Sequence, residues 1–91
     1  MIVRIGTFHQ EPEDTRDWVI DALHGVPGVR ATYHVRDPES GAVLSISIFD
    51  SEDGERAAVE AIRARAGEVG HTGPGPDEIR MYEVVRYVEN R

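Results

Sequence analysis

The sequence predicts an α+β domain in which two helices cover one face of a four-stranded antiparallel sheet. Three observations favour this fold class. The segments follow the order strand, helix, strand–turn–strand, helix, strand; they occupy nearly all of the 91 residues; and segments 29–36 and 42–49 alternate in polarity on either side of a turn sequence. This order is that of a split βαββαβ unit.

The first two segments are interpreted as a strand and a helix. Residues 2–9 are rich in β-branched and aromatic side chains, which is typical of a strand, and Pro12 follows soon after. Acidic residues at positions 13, 14 and 17 suit the first turn of a helix that runs to about His24. Its predicted apolar stripe consists of Trp18, Val19, Ala22, Leu23 and Val26.

The middle of the chain reads as a β-hairpin. Residues 29–36 alternate between apolar and polar side chains, and residues 42–49 return with the same period. Between them, residues 37–41 place Pro38 and Gly41 where turn chemistry favours them. We therefore expect these two strands to be antiparallel neighbours.

A second helix and a last strand complete the unit. Asp50 or Ser51 is the expected N-cap, followed by three acidic residues in the first turn and an alanine-rich face that reaches Ala66. Residues 67–77 contain four Gly and two Pro and are interpreted as a long loop. The last strand is expected over residues 78–88.

Composition and charge exclude several classes of function. The chain has 17 acidic and 10 basic residues, a net charge of −7, which argues against binding to nucleic acid or to an anionic membrane. It has no cysteine, so disulfides and thiolate metal sites are excluded. No signal peptide or window of 18 apolar residues is present in the sequence, and we expect a soluble, cytoplasmic protein.

The last strand predicts an assembly of two chains. Residues 78–88 carry large apolar or aromatic side chains on both faces of the strand, although a two-layer domain covers only one face of its sheet with helices. A chain of this length also buries a small core. We therefore expect a homodimer that forms through the helix-free face of the sheet.

Several segments together resemble the dimeric α/β-barrel superfamily, and within it the single-domain proteins of the antibiotic biosynthesis monooxygenase type. These are the Gly-Val-Pro-Gly-Val run at 25–29, the strand Val43–Asp50 that leads into an acidic helix start, and the closing Tyr-Glu-Val-Val at 82–85. The resemblance covers nearly the whole chain and identifies residues 1–91 as one such domain. It implies a ferredoxin-like fold, a dimer whose two sheets form a barrel, and a cavity between sheet and helices.

The same family includes cofactor-independent oxygenases of polyketide quinols and haem-degrading enzymes. The haem-degrading branch is similar to proteins with an Asn on the first strand and a Trp on the second helix, and this chain has neither. His71, which follows the second helix, corresponds approximately to a histidine of that branch.

Six residues are candidates for a site. His34 and His9 are the candidate general bases, because a histidine on a strand or at its end can take a proton near neutral pH. Trp18, Tyr33, Tyr82 and His71 are the candidate ligand-binding groups, since aromatic rings can stack on a flat molecule. Three of them have a structural alternative: Trp18 as core, His34 as a polar sheet residue, and His9 as a solvated strand end.

The remaining histidine, glycine and arginine patterns indicate neither a metal site nor a cofactor site. The four histidines lack metal-ligand spacing, and the glycines of 67–75 do not match a phosphate-binding loop. Arg4, Arg80 and Arg86 are interpreted as ion-pair partners of Glu83 or Glu89 across subunits, with a carboxylate ligand as the alternative.

Two hypotheses of function follow from different classes. The first is a monooxygenase-like enzyme without metal or flavin that acts on a small aromatic or polycyclic molecule in the cavity. The second is a non-catalytic homodimer that binds a small molecule or assists another protein. The lack of a polar cluster on the second helix favours the latter, and the family resemblance favours the former.

Overall fold

Six elements make up the chain in the predicted order. The computed structural model describes residues 1–12 and 16–90. The elements are β1 (Ile2–Phe8), α1 (Asp17–Leu23), β2 (Val29–Arg36), β3 (Val43–Phe49), α2 (Glu52–Val69) and β4 (Glu78–Glu83). The α+β, ferredoxin-like βαββαβ fold class is therefore confirmed.

The four strands form one open antiparallel sheet with the order β2-β3-β1-β4. The two central strands are thus β3 and β1, and Ile5 lies opposite Ile46 in their register. The hairpin between β2 and β3 forms as predicted, since Asp37 N–H donates to the Ala42 carbonyl at 2.8 Å. Gly41 has a φ of 79°, a conformation that few other residues adopt without strain.

The core lies between the sheet and both helices. Val19 and Leu23 of α1 and Ala58 of α2 pack with Phe49 of β3, and all four are buried. Trp18, Val29 and Ile62 pack against this cluster at its margin. Both helices therefore lie on the face of the sheet that carries Phe49, which we call the helix side.

The opposite face, which we call the helix-free face, is largely apolar. Because directly opposed residues of antiparallel strands point to the same side of the sheet, the register places the side chains that alternate with Phe49 and Phe8 together on this face. They include Val3, Ile5, Tyr33, Val35, Leu44, Ile46, Ile48 and Tyr82.

The last strand is shorter than the sequence predicted. β4 ends at Glu83 and not at Val88. Glu83 is paired with Ile2, the first residue of β1, so the residues that follow have no neighbouring strand residue to pair with. Val85 and Val88 are 80% and 79% exposed. Strand-like alternation is thus present in 84–88, but contact with the neighbouring strand ends with the hydrogen bond that Val84 N–H donates to the Met1 carbonyl at 2.9 Å.

The helices also differ from expectation at their ends. α2 continues to Val69, three residues beyond the expected Ala66, and Gly70 ends it with a φ of 69°. Ser51 is the N-cap of α2, although its side chain makes no capping hydrogen bond. α1 begins at Asp17; the predicted first turn from residue 13 lies outside the described residues. Within the described part of the chain, neither helix is long and apolar enough to cross a membrane.

Candidate functional site

A cavity that we call the outer pocket lies where the end of β1, the start of α1 and the loop after α2 meet. Its volume is about 890 Å³. It brings together three of the six candidate residues, His9, Trp18 and His71, which are far apart in the sequence. The end of β1 and the end of α2 lie at the same edge of the sheet. This topology brings the three side chains close together.

Trp18 and His71 form one wall of the outer pocket. Their ring centroids are 5.0 Å apart and the planes are tilted by 47°, within the range of favourable aromatic pairs. His71 N–H, at the end of α2, donates to the Ala66 carbonyl at 2.9 Å, which anchors the start of the loop. Trp18 therefore contributes both to the core margin and to a pocket wall, so the two interpretations of this residue are compatible.

His9 lies at the rim of the outer pocket. Its backbone N–H donates to the Asp77 carboxylate at 2.8 Å, and its imidazole Nε2 is 3.8 Å from the Glu78 carboxylate. Its side chain is 64% exposed. This placement gives His9 access to a ligand in the pocket but keeps it in contact with solvent.

A smaller space, which we call the inner cleft, lies between the sheet and the two helices. Its volume is about 270 Å³. Phe8 and Arg16 line both the inner cleft and the outer pocket, so the two spaces meet at this pair. The Arg16 guanidinium stands 4.8 Å over the Phe8 ring, a cation–π contact, and donates a hydrogen bond to the Pro74 carbonyl.

Arg16 has an unusual backbone conformation at this junction. It is the N-cap residue of α1 and has φ 59° and ψ 30°, the left-handed region that residues with a side chain seldom adopt. Its backbone carbonyl still accepts a hydrogen bond from Val19 N–H at 2.9 Å. Such conformations persist where the surrounding structure holds them, and they are common at ligand sites.

His34 lies on β2 and faces the inner cleft from the helix side of the sheet. It is half-buried, and its Nε2 is shielded from solvent without a hydrogen-bond partner among the described residues. Burial lowers the pKa of the His34 imidazole below its ordinary value of 6.5; the Asp17 carboxylate opposes this shift and Arg16 adds to it. A neutral imidazole in this position can accept a proton.

Tyr33 and Tyr82 lie on the helix-free face, away from both cavities. They are 54% and 48% exposed in the single chain. Tyr33 is on the edge strand β2 and Tyr82 on the opposite edge strand β4, with two strands between them. The structure therefore does not bring these two phenols together or place them beside His34.

Two of the three arginines of the inner cleft were not singled out from the sequence, and the third, Arg4, was considered as a carboxylate-binding residue only as the alternative to an ion pair. Arg4, Arg16 and Arg63 line this space from β1, the start of α1 and α2. Because side chains alternate along β1, Arg4 lies on the same face of the sheet as Phe8. This alternation is the feature of the sequence that could have identified Arg4 as a residue of the cleft. The contributions of Arg16 and Arg63 depend on how the helices pack, which the sequence pattern does not specify.

No group of three or more His, Cys, Asp or Glu side chains suitable for a metal ion occurs within residues 1–12 and 16–90.

Comparison with known proteins identifies the fold. No protein-family model and no curated protein matches the sequence. Solved structures do match it: a candidate antibiotic biosynthesis monooxygenase from Chloroflexus aurantiacus has a TM-score of 0.67 at 18% identity, over 97% of this chain and 96% of that one. This chain shares its ferredoxin-like fold with that protein. The predicted superfamily resemblance is thus confirmed at the level of fold.

Two further structures share this fold. A monooxygenase from Streptomyces coelicolor, encoded by ActVA-Orf6 and in complex with the ligand nanaomycin D, matches with a TM-score of 0.65 and 16% identity over 99% of this chain and 92% of that one. A dimeric ferredoxin-like protein from an uncultured marine organism matches with a TM-score of 0.60 and 13% identity over 98% and 97%. At these identities the likeness concerns the fold.

Proposed function

We propose that residues 1–91 are a single antibiotic biosynthesis monooxygenase-like domain that binds a small aromatic molecule between its sheet and helices and oxygenates it without metal or flavin. The observation that carries this proposal is the buried, unpartnered Nε2 of His34 in a cleft that meets a larger aromatic-walled pocket. The complex of the Streptomyces coelicolor monooxygenase with nanaomycin D supports the choice of a polycyclic ligand.

The two cavities have separate roles in this proposal. The flat body of the ligand occupies the outer pocket against Trp18 and His71, where apolar contact and ring stacking hold it. Its reacting end passes Phe8 and Arg16 into the inner cleft, near His34. Because a partly enclosed site disfavours a bare substrate anion relative to its protonated form, the anion forms there only if a base receives the proton.

His34 is the base in this mechanism. Its neutral imidazole takes a proton from the acidic CH₂ or OH of the substrate, and the resulting anion reduces O₂. For conversion of a ring CH₂ to a C=O group, one oxygen atom forms the carbonyl and the other leaves as water with the two hydrogens of the CH₂. The substrate supplies all four electrons, so the reaction balances without another reductant.

The active form is proposed to be a homodimer in the cytoplasm, joined through the helix-free face. Two observations support the dimer: the central strands expose a continuous apolar surface there, and a neighbour of the same fold is described as dimeric. Apolar faces of this extent are typical of protein interfaces. In this arrangement Tyr33 and Tyr82 belong to the subunit interface.

1,8-Dihydroxy-9-anthrone tests the enzymatic proposal, because it has an acidic CH₂ and a flat three-ring body. We expect consumption of one O₂ per anthrone and a quinone that carries one ¹⁸O atom from ¹⁸O₂. His34→Gln should lower the turnover rate by about 10²–10⁴-fold, the usual contribution of a general base, with little change in binding. His24→Gln, a change at an exposed histidine, is the control and should leave the rate unchanged.

The second candidate function is a non-catalytic, ligand-binding or accessory homodimer. It is favoured by α2, whose side chains at the inner cleft are Val59, Ile62 and Arg63 and include no aromatic group. Binding of the anthrone without O₂ uptake above that of free anthrone would support this second function. If the anthrone does not bind at all, both functions as stated are wrong.

A further inference from the structure

The inner cleft is positively charged although the protein as a whole is acidic. Arg4, Arg16 and Arg63 line it, and among the described residues no Asp or Glu lines it. These are three of the ten basic residues of a chain that has 17 acidic ones and a net charge of −7. A local reversal of charge in a partly enclosed space attracts anions from solution.

Two arginines of the cleft, Arg4 and Arg63, differ from most others of the chain in their ion-pair partners. Arg30, Arg36 and Arg56 each contact a carboxylate closely, from Asp50, Glu11 and Asp53 respectively. These pairs lie on the surface and satisfy their guanidinium groups locally. Where a carboxylate is within reach, these arginines form an ion pair with it.

Arg4 and Arg63 lack such a close carboxylate. The single ion pair of Arg4 among the described residues is with Glu55, at the 4.0 Å limit of such a contact, and only about a quarter of either side chain is exposed. Arg63 has no carboxylate within ion-pair distance among the described residues. A guanidinium with a distant partner retains donors that can bind a ligand.

Two further polar groups face the same space. His34 contributes its buried, unpartnered Nε2, and Ser45, opposite it on β3, contributes a hydroxyl. A planar carboxylate matches the fork of a guanidinium and can accept an additional hydrogen bond from the Ser45 hydroxyl. The apolar lining from Val59 and Ile62 leaves room for the atoms that carry the carboxylate.

We propose that the inner cleft binds the carboxylate of an aromatic acid between Arg4 and Arg63, while the aromatic body lies in the outer pocket. The proposal rests on the proposed function, since it specifies the class of molecule that the same site receives. It assigns specificity to two residues, one on β1 and one on α2, that are 59 positions apart in the sequence.

2-Naphthoate and 2-naphthamide test the proposal as a matched pair, because they differ little in shape and only the first is charged. Calorimetric titration of the whole protein at pH 8 should show binding of the acid at least about tenfold tighter than of the amide, a difference of about 1.4 kcal/mol. Raising the salt concentration should reduce the affinity of the acid and leave that of the amide nearly unchanged.

Arg63→Gln and Arg4→Gln should each reduce the preference for the acid toward unity, with the amide affinity maintained. Arg65→Gln is the control, since Arg65 lies on the same helix but contacts Glu68 and does not line the cleft. Circular dichroism checks that each variant folds. Because Arg63 is exposed, Arg63→Gln is expected to fold and tests the proposal even if Arg4→Gln does not fold.

The outcomes separate this inference from the function on which it rests. Equal affinity for acid and amide overturns the carboxylate site but leaves aromatic binding intact. A preference for the acid that survives in both Arg4→Gln and Arg63→Gln also overturns the assignment. Failure of both probes to bind overturns the carboxylate site together with the proposed aromatic pocket.

Discussion

Gly28 and Gly54 pack backbone against backbone where β2 begins and α2 makes its first turn. The Gly28 carbonyl oxygen lies 2.7 Å from the point that a Cβ on Gly54 would occupy, and the same oxygen accepts a hydrogen bond from Asp50 N–H at 2.8 Å. Gly28 itself has a φ of 87°. This contact holds the first turn of α2 close to the start of β2.

Gly54→Ala is expected to destabilise the fold. The added methyl group would displace backbone and not a flexible side chain, and such overpacking costs about 1–3 kcal/mol. The higher helix propensity of Ala offsets about 1 kcal/mol of this loss. Urea unfolding should therefore show a lower free energy of unfolding by up to about 2 kcal/mol.

Gly67→Ala is the matched control on the same helix. Nothing lies within 4 Å of a Cβ at position 67, and the residue is exposed. This substitution should raise the free energy of unfolding by about 0.5–1 kcal/mol. Equal effects of the two substitutions would contradict the close approach of Gly28 and Gly54.

The pH dependence of stability should contain a contribution from His34. Its pKa in the folded protein is lowered, first because of burial, so the unfolded chain binds this proton more readily. The free energy of unfolding is therefore maintained above pH 6.5, the ordinary pKa, and falls as the pH drops from 6.5 toward the folded pKa.

His34→Gln should remove this contribution. Unfolding curves of both proteins at pH 8 and at mildly acidic pH are the measurement, and the wild type should lose more stability than the variant over that interval. The charged groups near this imidazole, Asp17 and Arg16, are unchanged by the substitution. A ¹H–¹⁵N titration that places the His34 pKa at or above 6.5 would falsify the desolvated position of the ring.

Ile46→Asp should separate the proposed dimer into monomers. Ile46 lies at the centre of the helix-free face, opposite Ile5, and an unpaired carboxylate buried there costs several kcal/mol. We expect the dissociation constant to rise by at least about a hundredfold. Sedimentation equilibrium measures this change.

Ile20→Asp is the control for a charge on an exposed isoleucine. Ile20 lies on α1 and is 39% exposed, on the opposite side of the sheet. It should leave the sedimentation behaviour unchanged. Monomeric wild-type protein, or dissociation by Ile20→Asp and not by Ile46→Asp, would contradict assembly through the helix-free face.

The contact of Trp18 with His71 should be visible in fluorescence, because Trp18 is the only tryptophan of the chain. His71→Ala removes the ring 5.0 Å away and should expose the indole, with emission that is more intense and shifted to longer wavelength. The loss of the ring pair should lower the free energy of unfolding by about 0.5–1.5 kcal/mol. His24→Ala, at the end of α1, should leave the emission unchanged.

Much of the fold followed from local patterns in the sequence. The hairpin over 37–41 was predictable because Pro and Gly occupy turn positions between two alternating segments, and the same local rules gave the order of all six elements. The ends of elements were less predictable. β4 stops at Glu83 because pairing with β1 stops there, a condition that no property of residues 84–88 reveals.

The site was only partly predictable. His9, Trp18 and His71 were identified individually as candidates, but their meeting in the outer pocket depends on how α1 and the loop after α2 pack. Alternation along β2 predicts that Tyr33 and Val35 lie on the same face of the strand. It does not predict whether that face packs against the helices or lies on the helix-free side. The assignment of faces follows from Phe49, whose burial against Val19 and Ala58 orients the whole sheet.

The sequence by itself therefore determined the α+β class, the order of elements and the acidic character of the chain, because these follow from residues close together along the chain. Only the tertiary structure decided that Arg4, Arg63 and His34 share a cleft and that Tyr33 and Tyr82 lie on the other face. The physical reason is that strand register and helix packing are set by the joint burial of residues from distant segments. That burial fixes which alternate set of side chains faces inward, and hence which charges are brought together.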